Sequence, residues 1–231
     1  QIKKHEETII ASINKEIRTV LEIGFLGGHS AEMFLKINDY INVTSIDQGA
    51  FQSVDCGKKY IDMKYPNRHT LMKGYSSKVL PLFITTTQTK FDIILIDGSY
   101  EEEIVYSDIM YCKELAHSET ILIINNTILN SQWIKYWNKE PTNVWNKLIN
   151  EKMVEKIENM DIDIGRGSVI GKYIGLDLSI NCITKIDNTK IDNTKIDNTK
   201  INNTKINNTK IDSVDNINLN ISEISKKIIL D

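Results

Sequence analysis

Up to about Leu178 the apolar positions switch between short continuous runs and stripes at helical spacing. Thr19–Ile23, Asn42–Ile46, Phe91–Ile96 and Thr120–Ile124 are brief apolar runs, the pattern of strands buried on both faces. His69–Met72 reads as a weaker strand and Ser168–Ile174 as a late one. Between them, helical spacing recurs at residues 5–18, Ser30–Ile37, Val54–Met63, Ser77–Phe83, Glu101–Leu115 and Asn143–Ile157. The first of these faces is Ile9, Ile10, Ile13 and Ile17; the last is Trp145, Leu148, Ile149, Met153 and Ile157. Strands alternating with helices predict an α/β fold, a doubly wound, mostly parallel sheet with helices on both faces.

From Thr184 the sequence becomes a five-residue repeat: Thr-Lys-Ile-Asp-Asn three times, Thr-Lys-Ile-Asn-Asn twice, then Thr-Lys-Ile-Asp-Ser. One apolar residue in five suits neither a strand nor a helix, and it buries too little surface to offset the entropy of ordering. The repeat reads as a flexible polar tail; a pentapeptide β-helix is the sharper alternative, with too few units to stack stably. Beyond it, Val214, Ile217, Ile221, Ile224 and Ile228 form a two-heptad stripe. That stripe predicts a short amphipathic helix that frays or docks on the domain, on a partner chain or on a second copy. The expected organisation is a domain over residues 1–178, a low-complexity linker over 179–213 and the short helix over 214–231.

Composition narrows the classes. The chain has 231 residues, 26% charged and 41% hydrophobic, which is ordinary globular usage. A net charge of -3 with no basic block gives no footing for nucleic acid. No apolar run approaches the roughly 20 residues of a membrane span, and the polar start Gln1-Ile2-Lys3-Lys4-His5 lacks a signal-peptide core. The missing initiator Met reads as a fragment or a processed form. Three scattered cysteines, Cys56, Cys112 and Cys182, make no CxxC pair and point to a reducing cytoplasm rather than a disulfide framework or zinc site.

Ligands of a parallel sheet bind beyond the carboxyl ends of its strands. In order, the residues there are Glu22-x-Gly24-x-x-Gly27-Gly28-His29-Ser30, Asp47, Gly74-Tyr75-Ser76, Asp97-Gly98 and Asn125-Asn126-Thr127. Glycines allow a tight turn and a close backbone approach, and the following helix presents free N–H groups. The spacing departs from the dinucleotide fingerprint GxGxxG. With Glu22 ahead of it, the loop suits S-adenosylmethionine (SAM) better than a nicotinamide cofactor, because SAM has no pyrophosphate and carries an amino-acid moiety that polar groups can hold. Asp47, ending the next strand, can accept from both ribose hydroxyls. A plain strand-to-helix turn and a helix-capping Asp are the competing readings.

Leu21-Glu22-Ile23-Gly24-Phe25-Leu26-Gly27-Gly28-His29-Ser30-Ala31 resembles the first motif of class I SAM-dependent methyltransferases, most closely the family catalogued as methyltransferase domain type 24. The resemblance continues through Val43–Asp47, Tyr65–Leu71, Phe91–Gly98, Asp108, Leu115–His117 and Gly171–Tyr173. It covers about residues 1–175 and none of the tail. It implies a Rossmann-like fold in which Glu22, Gly24, Gly28 and Ser30 hold the methionine end of SAM and Asp47 the ribose, with His29 a further cofactor contact unless it only hydrogen-bonds within the loop. Gly74, Tyr75 and Ser76 would contact the adenine, and Asp97 would sit beside the sulfonium and the acceptor.

The departures concern the acceptor side. Tyr75 stands where relatives usually have an acidic residue, Leu26 where a polar one is common, and Tyr100 where the pattern Asp-Gly-x-His has its His. Asn125-Asn126 replaces two Asp. In related O-methyltransferases those carboxylates bind a divalent metal; Asp97, Asn125 and Asn126 would offer one charge instead of three, so a metal is a doubtful cofactor. Tyr100 can donate a hydrogen bond but is a poor base near neutral pH. Catalytic roles fall to Asp97 and Tyr100, with Trp133 and Trp137 as further acceptor contacts unless they simply pack. His5, His69 and His117 read as structural or surface residues, and Asn125-Asn126 also fits a turn. Two functions remain open. One is a cytoplasmic methyltransferase acting on a small-molecule or glycan-like acceptor, at oxygen. The other is a catalytically decayed relative serving as a SAM-binding or interaction module; a nicotinamide-binding Rossmann activity is a third alternative.

Overall fold

A computed structural model describes residues 17–127, 136–163 and 166–176. The N-terminal helix expected over residues 5–18 lies almost wholly outside them, and Trp133, the repeat and the C-terminal stripe entirely so. The elements run β1 (Thr19–Ile23), α1 (His29–Ile37), β2 (Asn42–Asp47), α2 (Gln52–Lys64), β3 (His69–Lys73), α3 (Ser76–Thr86), β4 (Phe91–Ile96), α4 (Glu102–Lys113), β5 (Ala116–Thr127), α5 (Tyr136–Asn150), β6 (Val154–Asp163) and β7 (Arg166–Tyr173).

The sheet has the order β3-β2-β1-β4-β5-β7-β6. The first five strands are parallel, and β7 runs antiparallel between β5 and β6. Side chains alternate across it as strand geometry requires. Leu21, Ile23, Ile94 and Ile96 join Leu80 of α3, Val105 and Ile109 of α4, and Val144 and Leu148 of α5 on one face. Val20, Val43, Ile93 and Leu95 join Phe34 and Leu35 of α1 and Val54 and Ile61 of α2 on the other. The doubly wound architecture is therefore present, with helices on both faces. The chain order reverses direction at β1, between β2 and β4, which opens the crevice where ligands bind in such sheets.

One predicted element is different. Asn143–Ile157 is not a single helix: α5 begins at Tyr136 and stops at Asn150, and β6 starts at Val154. The stop is a Schellman motif, in which Met153 N–H donates to Leu148 O at 3.0 Å and Lys152 N–H to Ile149 O at 3.1 Å. Lys152 takes the left-handed position at φ 56°, a place where glycine would have announced the end. Met153 and Ile157 happened to continue the helical stripe of Trp145, Leu148 and Ile149, which concealed the edge strand.

Candidate functional site

The turn after β1 is folded around two close approaches. Gly24 has φ 96°, donates its N–H to Ile46 O at 2.8 Å and lies so near β4 that a Cβ there would sit 2.5 Å from the Asp97 carbonyl oxygen. Only glycine satisfies both conditions. Phe25 is buried and stacks on the His69 ring, centroids 4.9 Å apart, which pins the loop to β3. Leu26, at φ 48°, is 56% exposed. From the far side α2 closes in: a Cβ at Gly57 would stand 2.5 Å from the Gly27 carbonyl oxygen. Gly28 precedes α1 without a side-chain cap, so the N–H groups of its first turn face the loop region. His29 is exposed and Ser30 half-buried at the head of that helix.

Asp47 ties this loop to β2. Its Oδ2 accepts from the N–H of Phe25 at 2.8 Å and of Leu26 at 2.9 Å, while Oδ1 accepts from Gly49 N–H at 2.7 Å. The glycine turn and the carboxylate ending β2 thus share one crevice. The Asp47 carbonyl also receives Gly74 N–H at 2.8 Å, which sets Gly74-Tyr75-Ser76 beside it. Tyr75 precedes α3 and is 61% exposed.

Glu22 is fully buried. One of its oxygens accepts from the Ser30 hydroxyl and the other from Ser45 Oγ at 2.6 Å, and Ser45 Oγ lies 3.0 Å from His69 Nε2. Burial is the main cause that pushes the Glu22 carboxyl up to about 7; the two serine hydrogen bonds oppose it, and Asp97 and Asp47 add to it. His69 is pushed down to about 4, chiefly by burial and then by Lys58. Ser45, Phe25 and Gly57 carry much of this arrangement. None was singled out in the sequence, because their partners lie on neighbouring strands and helices whose order is not visible there.

At the acceptor side, a β-bulge interrupts β5 between Ile124 and Thr127. Asn126 adopts φ 57° there and donates from Nδ2 to Asp97 Oδ1 at 2.8 Å. Asn125 Oδ1 accepts from Ser168 Oγ of β7 at 2.6 Å. Since a carboxylate only accepts, the face of Asn126 turned to Asp97 is its NH2. A hard cation needs several converging oxygens, but one amide oxygen is engaged by Ser168 and the other amide presents hydrogens. The residues at this position therefore do not fit a divalent metal. Among the described residues, no group of three or more His, Cys, Asp or Glu could hold one. Tyr100, after β4, is 44% exposed, and Trp137 is half-buried in the first turn of α5. His117 lies at the opposite end of the sheet, its Nε2 3.1 Å from Asp92 Oδ1.

The family model described as methyltransferase domain matches residues 21–127. No curated protein is recognisably similar in sequence. Solved structures share the fold. An O-methyltransferase from Bacillus cereus in complex with SAH superposes with TM-score 0.60 at 16% identity, covering 74% of this chain and 79% of that one. The O-methyltransferase TomG from Streptomyces achromogenes, solved with SAM, gives 0.62 at 13%, covering 76% and 81%. The SAH-bound Podospora anserina methyltransferase PaMTH1 gives 0.59 at 14%, covering 73% and 77%. The fold is that of class I SAM-dependent methyltransferases. No helix among the described residues is long and apolar enough to cross a membrane.

Proposed function

We propose that the protein transfers a methyl group from SAM to an oxygen of a small-molecule or glycan-like acceptor, a reading supported by the match of residues 21–127 to the methyltransferase-domain model. The observation that carries the reading is the contact between Asp47 and the amides of Phe25 and Leu26, which places the glycine turn and the β2 carboxylate on one crevice. The uncapped start of α1 at His29–Ser30 supplies N–H groups for the methionine carboxylate. Asp47 keeps lone pairs for a ribose hydroxyl, and Gly74–Ser76 border the place where the adenine would lie.

In the transfer, an acceptor lone pair attacks the methyl carbon, the carbon–sulfur bond breaks, and its electron pair stays on sulfur. Alignment of acceptor and sulfonium supplies much of the rate. Asp97, oriented by Asn126, faces the reacting centre, takes the hydrogen bond of the acceptor O–H and receives its proton as the new carbon–oxygen bond forms. Tyr100 borders the acceptor. The bond from Asn126 to Asp97 stands where the family pattern would have carboxylates, and it equally favours a second reading: a SAM-binding relative that no longer turns over.

Calorimetric titration with SAM tests binding; the expected result is one site per chain, weakened by Asp47→Ala. Absence of heat at any SAM concentration would remove both readings. Release of labelled methyl into a panel of hydroxylated small molecules then separates enzyme from relic.

A further inference from the structure

Three carboxylates share the α1–α2 face of the sheet at its carboxyl end. Glu22 pairs with Ser45 on β2 and with Leu95 on β4, and Asp47 and Asp97 each lie two residues further along those neighbouring chains. Side chains two apart on a strand point the same way, and both aspartates raise the proton affinity of Glu22. The other charged groups near the network stand beyond it. His69 meets Glu22 only through Ser45, and Lys58 and Asp62 of α2 act on His69.

This network holds Glu22 in either protonation state. When Glu22 is ionised, Ser45 donates to it and His69 Nε2–H donates to Ser45. When Glu22 carries a proton on Oε2, the order reverses: Glu22 donates to Ser45, Ser45 donates to a bare Nε2, and the ring proton sits on Nδ1. His69 Nδ1 is buried with no hydrogen-bond partner, so neither tautomer loses a bond there. Ser30 donates to the other Glu22 oxygen in both states. The carboxyl is thus walled from solvent, fully hydrogen-bonded in either form, and set among like charges.

SAM brings a sulfonium charge to this end of the sheet, and the product S-adenosylhomocysteine (SAH) has a neutral sulfur in its place. We propose that Glu22 reads that charge: it ionises when SAM occupies the crevice and takes up a proton when the crevice is empty or holds SAH. The inference rests on the SAM-binding reading above. By linkage, a site that gains affinity when Glu22 ionises must release a proton as it fills. Loss of the sulfonium charge on transfer then returns the proton to Glu22 and weakens the hold on the product. Glu22 acts here as a positioning and specificity residue, since it is fully buried and its oxygens are taken by Ser30 and Ser45.

The test is calorimetry of the full chain with SAM and with SAH, from about pH 6 to about pH 8.5, in two buffers of different ionisation enthalpy. SAM affinity should rise about tenfold between pH 6 and pH 8, while SAH affinity changes less than about twofold. Near neutrality SAM binding should release a fraction of a proton and SAH binding almost none. Glu22→Gln, checked for native circular dichroism, should flatten the SAM profile and bring the two affinities together. Ser45→Ala, which removes a charge-assisted bond from the ionised form and a weaker one from the protonated form, should move the SAM midpoint to higher pH. Parallel profiles for SAM and SAH, or an unchanged profile in folded Glu22→Gln, would overturn the inference and leave SAM binding standing. Failure of both ligands to bind at every pH overturns both.

Discussion

Asn126 Nδ2 donates to Asp97 Oδ1 at 2.8 Å, bridging the ends of β5 and β4. The amide supplies the partial positive charge that a cation would supply to two facing carboxylates. Its aim depends on the β-bulge and on the left-handed backbone of Asn126, which asparagine tolerates better than most residues.

Exchange of that amide for a carboxylate should therefore create cation affinity. In Asn126→Asp, two like charges would meet at hydrogen-bond distance, raising the proton affinity of the pair and costing about 1–3 kcal/mol without a counter-ion. Calorimetric titration with magnesium or manganese should detect binding to the variant and none to the parent protein. Equal heats from the two would show that the bridge does not exclude a metal.

Removal of the Asp47 carboxylate should free the glycine turn. Asp47→Ala deprives the N–H groups of Phe25, Leu26 and Gly49 of their acceptors. We expect a stability loss of about 1–3 kcal/mol in urea unfolding and at least about tenfold weaker SAM binding. Asp47→Asn, which keeps one accepting oxygen, should fall between the two. An alanine variant as stable as the parent would mean the loop is held by other contacts.

Lys152 offers a stabilising substitution. It occupies the left-handed position that ends α5, at φ 56°. Lys152→Gly should add about 1 kcal/mol to the unfolding free energy by removing the Cβ clash. A lower melting temperature would contradict the Schellman geometry.

Acid and neutral pH should act on the buried network in opposite senses. His69 falls from 6.5 to about 4 in the folded protein, so its stability contribution is whole above pH 6.5 and is lost as pH drops toward 4. Glu22 rises from 4.5 to about 7, so its contribution is whole below pH 4.5 and is lost as pH climbs toward 7. Between those limits the two slopes oppose each other. Glu22→Gln removes only the second, so its stability relative to the parent should grow by up to about 3 kcal/mol from pH 4.5 to pH 7. A constant difference across that range, read from urea midpoints, would show that Glu22 ionises in the fold as it does in the open chain.

The order of strands and helices up to β5 was legible in the sequence. Val20, Leu21 and Ile23 of β1 and Ile93–Ile96 of β4 place apolar side chains on both faces because they lie in the middle of a covered sheet, and such runs need no tertiary information to recognise. The glycine turn and Asp47 were legible for a related reason: a tight turn at a strand end leaves a local signature in residue type. The end of α5 was not, since Lys152 fills a position that only the surrounding hydrogen bonds make left-handed.

What the tertiary structure alone decided is the role of each polar side chain. Strand order put Ser45 and His69 beside Glu22, though they lie far apart along the chain, and enclosed its carboxyl. The bulge in β5 aimed one asparagine at Asp97, and the pairing with β7 gave the other to Ser168. Residue type sets which protons a group can give or take. Only the packed neighbours fix which partner it meets and how far water is kept away, and those two quantities set its charge.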